Sequence, residues 1–278
     1  MSNSITGRWF VNQPSVPDAV TQLVCLPHAG SGAATYRDWQ SRLGPSVEVL
    51  TPQLPGREGR FTEPPAASAE EVVEALVEPL LARLDTPGGS QGRGPAGSRS
   101  PRPFALFGHS MGALLSYELA HELVRRGRPP AHLFVSGYSA PHFPRRPGRP
   151  VTHELPDTEL VAHITALQGT NGAVLEDPEL MELLLPVIRA DYKICETYRY
   201  RERSPLPFPI TALGGDSDPE VPENGLRAWG HLTSEELVVK VFPGGHFYLH
   251  ARFDEVMDAL RTRFTRTGRL TGSTGTRT

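Results

Sequence analysis

The stretch Phe104-Ala105-Leu106-Phe107-Gly108-His109-Ser110-Met111-Gly112-Ala113-Leu114-Leu115 decides how the rest of the chain is read. A short apolar run ends in Gly-x-Ser-x-Gly and passes at once into a helical pattern, the strand–turn–helix context of a nucleophile elbow. A turn this tight crowds neighbouring backbone, so residues without Cβ are needed on either side of the serine. The reading predicts a Ser110 hydroxyl held at the carboxyl end of a parallel sheet. The Met111 N–H, at the start of the helix, is then directed at the same point as half of an oxyanion hole.

Working back toward the N-terminus, Gln22-Leu23-Val24-Cys25-Leu26 reads as a buried strand and runs into the small-residue loop Pro27-His28-Ala29-Gly30-Ser31-Gly32-Ala33. A helix through Tyr36, Trp39 and Leu43 follows. An early Gly-rich turn between strand and helix is where the second oxyanion donor is expected, and the candidate is the Ala29 N–H; an ordinary tight turn has the same composition. Val47-Glu48-Val49-Leu50-Thr51 is the next strand. The Pro/Gly-rich loop after it holds Arg57 and Arg60, which read either as contacts for a phosphate or acidic partner or as locally paired, solvated residues. Ser68 opens a helix, with Glu71 completing a capping box and Val72, Val73, Leu76, Val77, Leu80, Leu81 and Leu84 at helical spacing.

Forward of the elbow, Leu133-Phe134-Val135-Ser136-Gly137 is another buried strand, and a proline-rich basic stretch with Arg145, Arg146 and Arg149 leads out of the sheet. Two amphipathic helices interrupt the strand–helix alternation there. One carries Leu160, Val161, Ile164 and Leu167. The other carries Leu180, Leu183, Leu184, Val187 and Ile188, with Tyr192, Cys195 and Tyr198 continuing the stripe. The sheet resumes at Ile210-Thr211-Ala212-Leu213-Gly214 and ends with Glu236-Leu237-Val238-Val239-Lys240-Val241-Phe242, before Pro243-Gly244-Gly245-His246-Phe247 and a last helix with Phe253, Val256, Leu260 and Phe264.

Strands alternating with helices predict an α/β fold with a mostly parallel sheet and helices on both faces, and chemistry collects at the carboxyl ends of such strands. Ser110, an acid after the Leu213 strand and His246 after the Phe242 strand all fall there, in the chain order Ser, Asp, His. Asp218, three residues past Gly215, is preferred as the acid, with Asp216 its rival in the same loop. His246, after the Gly-Gly pair, is preferred as the base over His250. His28 and His109 read as packing residues that orient their loops. Part of the inserted apolar stripe reads as the wall of a substrate chamber, with His28, Leu184, Ile188 and Tyr192 as candidates.

The bounds are consistent with this. The chain has 278 residues, 28 Lys+Arg against 31 Asp+Glu and 38% hydrophobic content, which suits a globular domain and gives no basic surface for nucleic acid. No run of about 18 apolar residues is present. The N-terminus has no secretory pattern, and two cysteines make neither a disulfide framework nor a metal site, so a reducing cytoplasm is expected. The expected organisation is a hydrolase core of residues 1–144 and 204–266, a flexible Gly/Ser/Pro-rich loop at 87–102, a helical lid at 145–203 and a disordered tail at 267–278.

The segments Leu26-Pro27-His28-Ala29-Gly30, Leu54-Pro55-Gly56-Arg57-Glu58, Phe107-Gly108-His109-Ser110-Met111-Gly112, Glu179-Leu180-Met181 through Asp191-Tyr192, and Gly244-Gly245-His246-Phe247 together resemble a type II thioesterase of polyketide and nonribosomal peptide assembly lines, in the α/β-hydrolase superfamily. The resemblance runs from about Cys25 to Phe264; the Gly88–Ser100 insertion departs from the pattern but touches no motif. It implies an editing hydrolase of antibiotic biosynthesis that clears stalled acyl groups from the phosphopantetheine arm of acyl or peptidyl carrier domains. It implies no metal or organic cofactor. Arg145, Arg146 and Arg149, or Arg57, are candidate contacts for an acidic carrier, although a solvated basic loop reads the same way. A carboxylesterase or lipase acting on small esters would use the same triad, and a catalytically idle binding subunit is the non-enzyme alternative.

Overall fold

In the computed structural model the described residues are 7–10, 13, 15–85, 101–144, 148, 151–167 and 178–270, with backbone alone for 178 and 265–270. Six strands, β1 (Thr21–Leu26), β2 (Val47–Leu50), β3 (Phe104–His109), β4 (His132–Ser136), β5 (Ile210–Gly215) and β6 (Leu237–Phe242), form one sheet in the order β2-β1-β3-β4-β5-β6. Every neighbouring pair is parallel. Parallel strands covered on both faces read as near-continuous apolar runs, which is why all six were visible in the sequence.

Alternate residues of the strands feed two cores. Val24, Leu26 and Leu106 pack with α2 (Ala69–Leu84) and α3 (Met111–Arg125) on one face. Leu23, Cys25, Ala105 and Phe107 pack on the other with α1 (Trp39–Leu43) and with the C-terminal helices α7 (Tyr248–Ala251) and α8 (Phe253–Leu270). Between β4 and β5 the chain leaves the sheet for α4 (Asp157–Leu167) and α5 (Pro178–Thr197), whose facing side chains Leu160, Ile164, Met181 and Ile188 form a third, smaller cluster. A short helix, α6 (Glu223–Arg227), follows β5. Among the described residues no helix is long and apolar enough to cross a membrane.

The chain steps from β1 outward to β2 and then returns to place β3 on the other side of β1. The strand order therefore reverses between β1 and β3, and the loops after these two strands diverge to leave a crevice. The elbow follows β3 and the small-residue loop follows β1.

Local detail departs from expectation at four places. The helix expected after β1 is a 3-10 turn, Ala33–Tyr36, and then α1. The Ser68 hydroxyl caps Glu71 N at 3.1 Å as expected, but the Glu71 carboxylate accepts from Ala67 N rather than from Ser68. The flexible loop expected at 87–102 lies mostly outside the described residues, yet Arg102 within it is buried and donates to Glu48 at 2.6 Å. The helical backbone of α8 continues to Leu270, four residues into the tail expected to be disordered, because extending an existing helix is far easier than starting one. The rest of the tail, Arg145, Arg146 and Arg149, and residues 168–177 lie outside the described residues.

Glu48 is the charged centre of the sheet's β2 side. It is fully buried and accepts from Gln22 (2.9 Å), Arg83 (2.7 Å) and Arg102 (2.6 Å). Burial pushes its carboxyl up, but the hydrogen bonds from Gln22 and Arg83 and the charges of Arg83 and Arg102 outweigh it and hold the carboxyl below its ordinary value of 4.5. With the folded value depressed, this stabilisation is fully present above pH 4.5 and is lost as the pH falls through the folded value. Glu48→Ala, which strands two buried guanidinium groups, is expected to lower stability by about 3–5 kcal/mol at pH 7. Urea denaturation should show the deficit narrowing as the pH is taken below 4.5.

Candidate active site

Ser110 sits between β3 and α3 with φ +54° and ψ −121°, a conformation that L residues rarely adopt. Close backbone packing holds it there. A Cβ on Gly108 would lie 1.9 Å from the Gly112 carbonyl oxygen, and one on Gly112 would lie 2.1 Å from the Leu26 carbonyl oxygen. Ser110 N donates to Ser136 O at 2.8 Å, tying the turn to β4. Met111, fully buried, is the first residue of α3, so its N–H is among those a helix leaves unpaired in its first turn.

The Gly215–Pro222 loop after β5 and the turn after β6 bring the acid and the base together. His246 Nδ1 donates to Asp218 Oδ2 at 2.8 Å, with the His246 side chain 5% exposed and that of Asp218 0%. The other Asp218 oxygen accepts from Glu220 N at 2.8 Å. A proton on Nδ1 leaves Nε2 as the acceptor of the imidazole. The rival acid Asp216 is exposed and turned the other way. Its Oδ1 accepts from Gly244 N (3.0 Å) and Ser217 Oγ (2.8 Å), bracing the turn that carries His246, and these bonds hold its carboxyl below the ordinary value. His250 is exposed and lies against Phe247, ring centroids 5.6 Å apart.

Two further imidazoles pack around His246. The His109 ring centroid is 5.0 Å from that of His246; its Nδ1 is 2.9 Å from Ser136 Oγ, which is 2.6 Å from the Tyr248 hydroxyl. His28 donates from Nδ1 to Ala29 O at 3.0 Å and meets Phe247 edge-on at 4.9 Å. Burial lowers the His28 pKa to about 4 and drives that of His109 well below its ordinary value.

Ser110, His246, Ala29 and Tyr192 line two adjoining cavities. The larger, about 1000 Å³, is also bounded by Asp218, Tyr138, Phe143, Val151, Cys195 and Tyr198. The smaller, about 30 Å³, is closed by His28, Ile164, Leu167, Ile188 and Phe247. Both walls combine loops of the sheet with helices of the β4–β5 insertion. Of the chamber residues expected from sequence, His28, Ile188 and Tyr192 line a cavity. Leu184 is on the wall of neither of these two; it packs half-buried in the α4–α5 cluster. Among the described residues no group of three or more His, Cys, Asp or Glu side chains is arranged to hold a metal ion.

Arg57 corrects both expectations made for it. It is buried, and its guanidinium makes a two-pronged pair with Asp191 of α5, at 2.6 and 2.9 Å, across 134 positions of sequence. Arg60 pairs with Glu63 and stacks over Trp9. Asp191 lies in a segment that carries the resemblance but is given no role from the sequence, although a signal is present: it lies four residues from Val187 and three from Ile188, on the apolar stripe of α5, and a lone carboxylate on a buried face requires a partner.

Residues 21–87 and 97–264 match the family model described as the thioesterase domain. The gramicidin S biosynthesis protein GrsT of Aneurinibacillus migulanus is 37% identical over 256 residues, covering 92% of this chain and 93% of that one. The structure of the type II thioesterase BorB from the borrelidin biosynthetic cluster superposes with a TM-score of 0.77 at 38% identity, covering 91% and 96% of the two chains. The RedJ thioesterase from the prodiginine pathway of Streptomyces coelicolor gives 0.78 at 38% identity, covering 91% and 93%. A single parallel sheet carrying an elbow serine and an Asp–His pair at its strand ends, matched by the family model along nearly its whole length, makes this chain a member of the thioesterase domain family.

Proposed function

We propose that this thioesterase hydrolyses stalled or unwanted acyl groups from the phosphopantetheine arm of acyl or peptidyl carrier domains in polyketide or nonribosomal peptide synthesis. The observation that carries the reading is the 2.8 Å Asp218–His246 pair bordering the same cavity wall as Ser110. His246 Nε2 takes the Ser110 proton as the hydroxyl oxygen attacks the thioester carbonyl. Asp218 holds the tautomer and stabilises the imidazolium. The Met111 and Ala29 N–H groups receive the oxyanion. Collapse expels the pantetheine thiol, protonated by His246, and leaves an ester on Ser110. Water, deprotonated by the same histidine, then releases the acid.

The chemistry draws on side chains, backbone amides and water alone, which suits an enzyme without a cofactor. The relatives' placement in biosynthetic clusters supports a carrier domain as partner, and the cytoplasm as the compartment where such assembly lines work. The insertion from residue 145 to 203 acts in this reading as a lid, and the larger cavity is wide enough for a pantetheine arm together with varied acyl chains.

Acetyl and propionyl groups on a phosphopantetheinylated carrier protein, followed by mass spectrometry, should disappear with wild-type enzyme and persist with Ser110→Ala. Persistence with wild type, beside ready cleavage of a simple oxygen ester, would overturn the carrier assignment in favour of an esterase. Asp218→Asn should lower kcat by about 10⁴-fold, because the imidazole loses the partner that fixes its tautomer. Asp216→Asn, an exposed change, should stay within about twofold. Equal losses in the two variants would refute the assignment of the acid.

A further inference from the structure

The loop after β1 is held from two sides, by the loop after β2 and by the insertion. Asp191 Oδ2 accepts Gly30 N at 2.8 Å and also takes Arg57 Nη1, while Oδ1 takes Arg57 Nη2. Arg57 Nη1 reaches on to Ser31 O at 3.1 Å, and Arg57 Nε is fixed by Pro55 O at 3.2 Å. The side chains of Arg57 and Asp191 are 4% and 1% exposed, so this fork works away from solvent, where such bonds are strong and directional. Gly30 itself has φ +74°, and a Cβ there would lie 2.7 Å from Ile188 Cγ1, one turn before Asp191. The peptide next to Ala29 is therefore held by α5 through one hydrogen bond, and Ile188 leaves no room for a side chain at Gly30.

We propose that Asp191, held by Arg57, is a positioning residue for hydrolysis: it fixes the Gly30 amide and thereby the preceding Ala29 N–H in the orientation that receives the oxyanion. This rests on the reading of Ala29 as an oxyanion donor. Neither side chain touches the reacting atoms. Their effect is on where a backbone donor is aimed, and so it falls on the transition state more than on substrate binding.

The test uses the full chain and the propionyl thioester of N-acetylcysteamine, measuring kcat and KM separately. In the double variant Arg57→Met/Asp191→Leu both charges leave together, so no buried ion is stranded, but Gly30 N–H loses its acceptor. The expected result is a folded protein with kcat lower by about 30-fold or more, short of the 10²–10³ seen when an oxyanion donor is deleted outright, and KM within about twofold. Asp191→Asn keeps an acceptor for Gly30 and should fall between the double variant and wild type. A folded double variant with wild-type kcat, or with kcat and KM moving together, overturns the proposal. If the double variant does not fold, Asp191→Asn decides: a fall in kcat with unchanged KM and melting temperature supports it, and unchanged kcat overturns it. If neither folds, the pair is a requirement of the fold and the assignment is withdrawn. Ser110→Ala is run alongside: if that variant stays active the underlying mechanism is wrong, whereas an inactive Ser110→Ala with a fully active double variant removes the positioning role alone.

Discussion

The first turn of α3 lies against the end of β1 so closely that neither Gly108 nor Gly112 has room for a Cβ, the nearest obstacles being the Gly112 and Leu26 carbonyls. That backbone-on-backbone contact is possible because β1 and β3 are adjacent parallel strands whose exits diverge at the switch in strand order. Bringing α3 this near forces Ser110 into positive φ, a strain of about 1–3 kcal/mol that the surrounding structure has to hold. The Ser110 N to Ser136 O bond to β4 and the fully buried residues on both sides provide the hold. The strain has a chemical use. It lifts the hydroxyl off the strand axis, where a regular strand–helix junction would turn it toward the sheet, and leaves the start of α3 facing the same space.

Electrostatics around the base follow from burial. His28 and His109 both face His246 or its neighbours, and charge on either would oppose protonation of His246. Burial removes that opposition: at pH 7 a His28 with its pKa near 4 is neutral, and His109, whose pKa burial drives well below its ordinary value, is neutral as well. The fixed charge that His246 meets directly is then Asp218, at 2.8 Å. Apolar and aromatic packing by Phe247 and Tyr248 thus sets up an imidazole group in which one member has an anionic partner and its neighbours stay uncharged.

Much of this was legible in the sequence, because it depends on local pattern. Each strand is an apolar run of strand length, and Ser110, Asp218 and His246 each follow such a run directly, so their common edge of the sheet follows from parallel topology. Loop spacing pointed to Asp218 over Asp216, and in the structure it is Asp218 that pairs with His246 while Asp216 is engaged with Gly244 N. Contacts between distant parts of the chain were not legible. Arg57 and Asp191 lie 134 positions apart, and Arg57 sits in a Pro/Gly loop whose composition reads as surface. Arg102 ends a low-complexity stretch and gives no local sign of the buried Glu48 waiting 54 positions earlier. In both cases a partner across the fold overrides the solvated reading that charge normally deserves. Leu184 failed for a different reason: a helix with an apolar stripe packs that stripe on whatever lies opposite, and for Leu184 the opposite surface is the α4–α5 cluster rather than the cavity.

The insertion is attached to the core unevenly along α5. Its C-terminal half and the segment after it carry directional contacts to the core: Asp191 to Arg57 and Gly30, Tyr198 to Glu118 at 2.5 Å, and Arg203 to Glu118 at 3.0 Å. Tyr192, Cys195 and Tyr198, which wall the large cavity, belong to this pinned half. Met181, Leu184 and Ile188 meet α4 through apolar contact beside the Arg189–Asp157 ion pair, and Ile164, Leu167 and Ile188 wall the small cavity. Hydrophobic contact is non-directional and tolerates sliding, whereas a buried ion pair with a third hydrogen bond does not. The wall over the 1000 Å³ chamber is thus held by charged and hydrogen-bonded anchors, and the one over the 30 Å³ pocket by apolar contact together with the Arg189–Asp157 pair that joins α5 to the start of α4. Ile188 lines the small cavity and fills the space that a Cβ on Gly30 would need, so the wall of that cavity packs on the loop that carries Ala29.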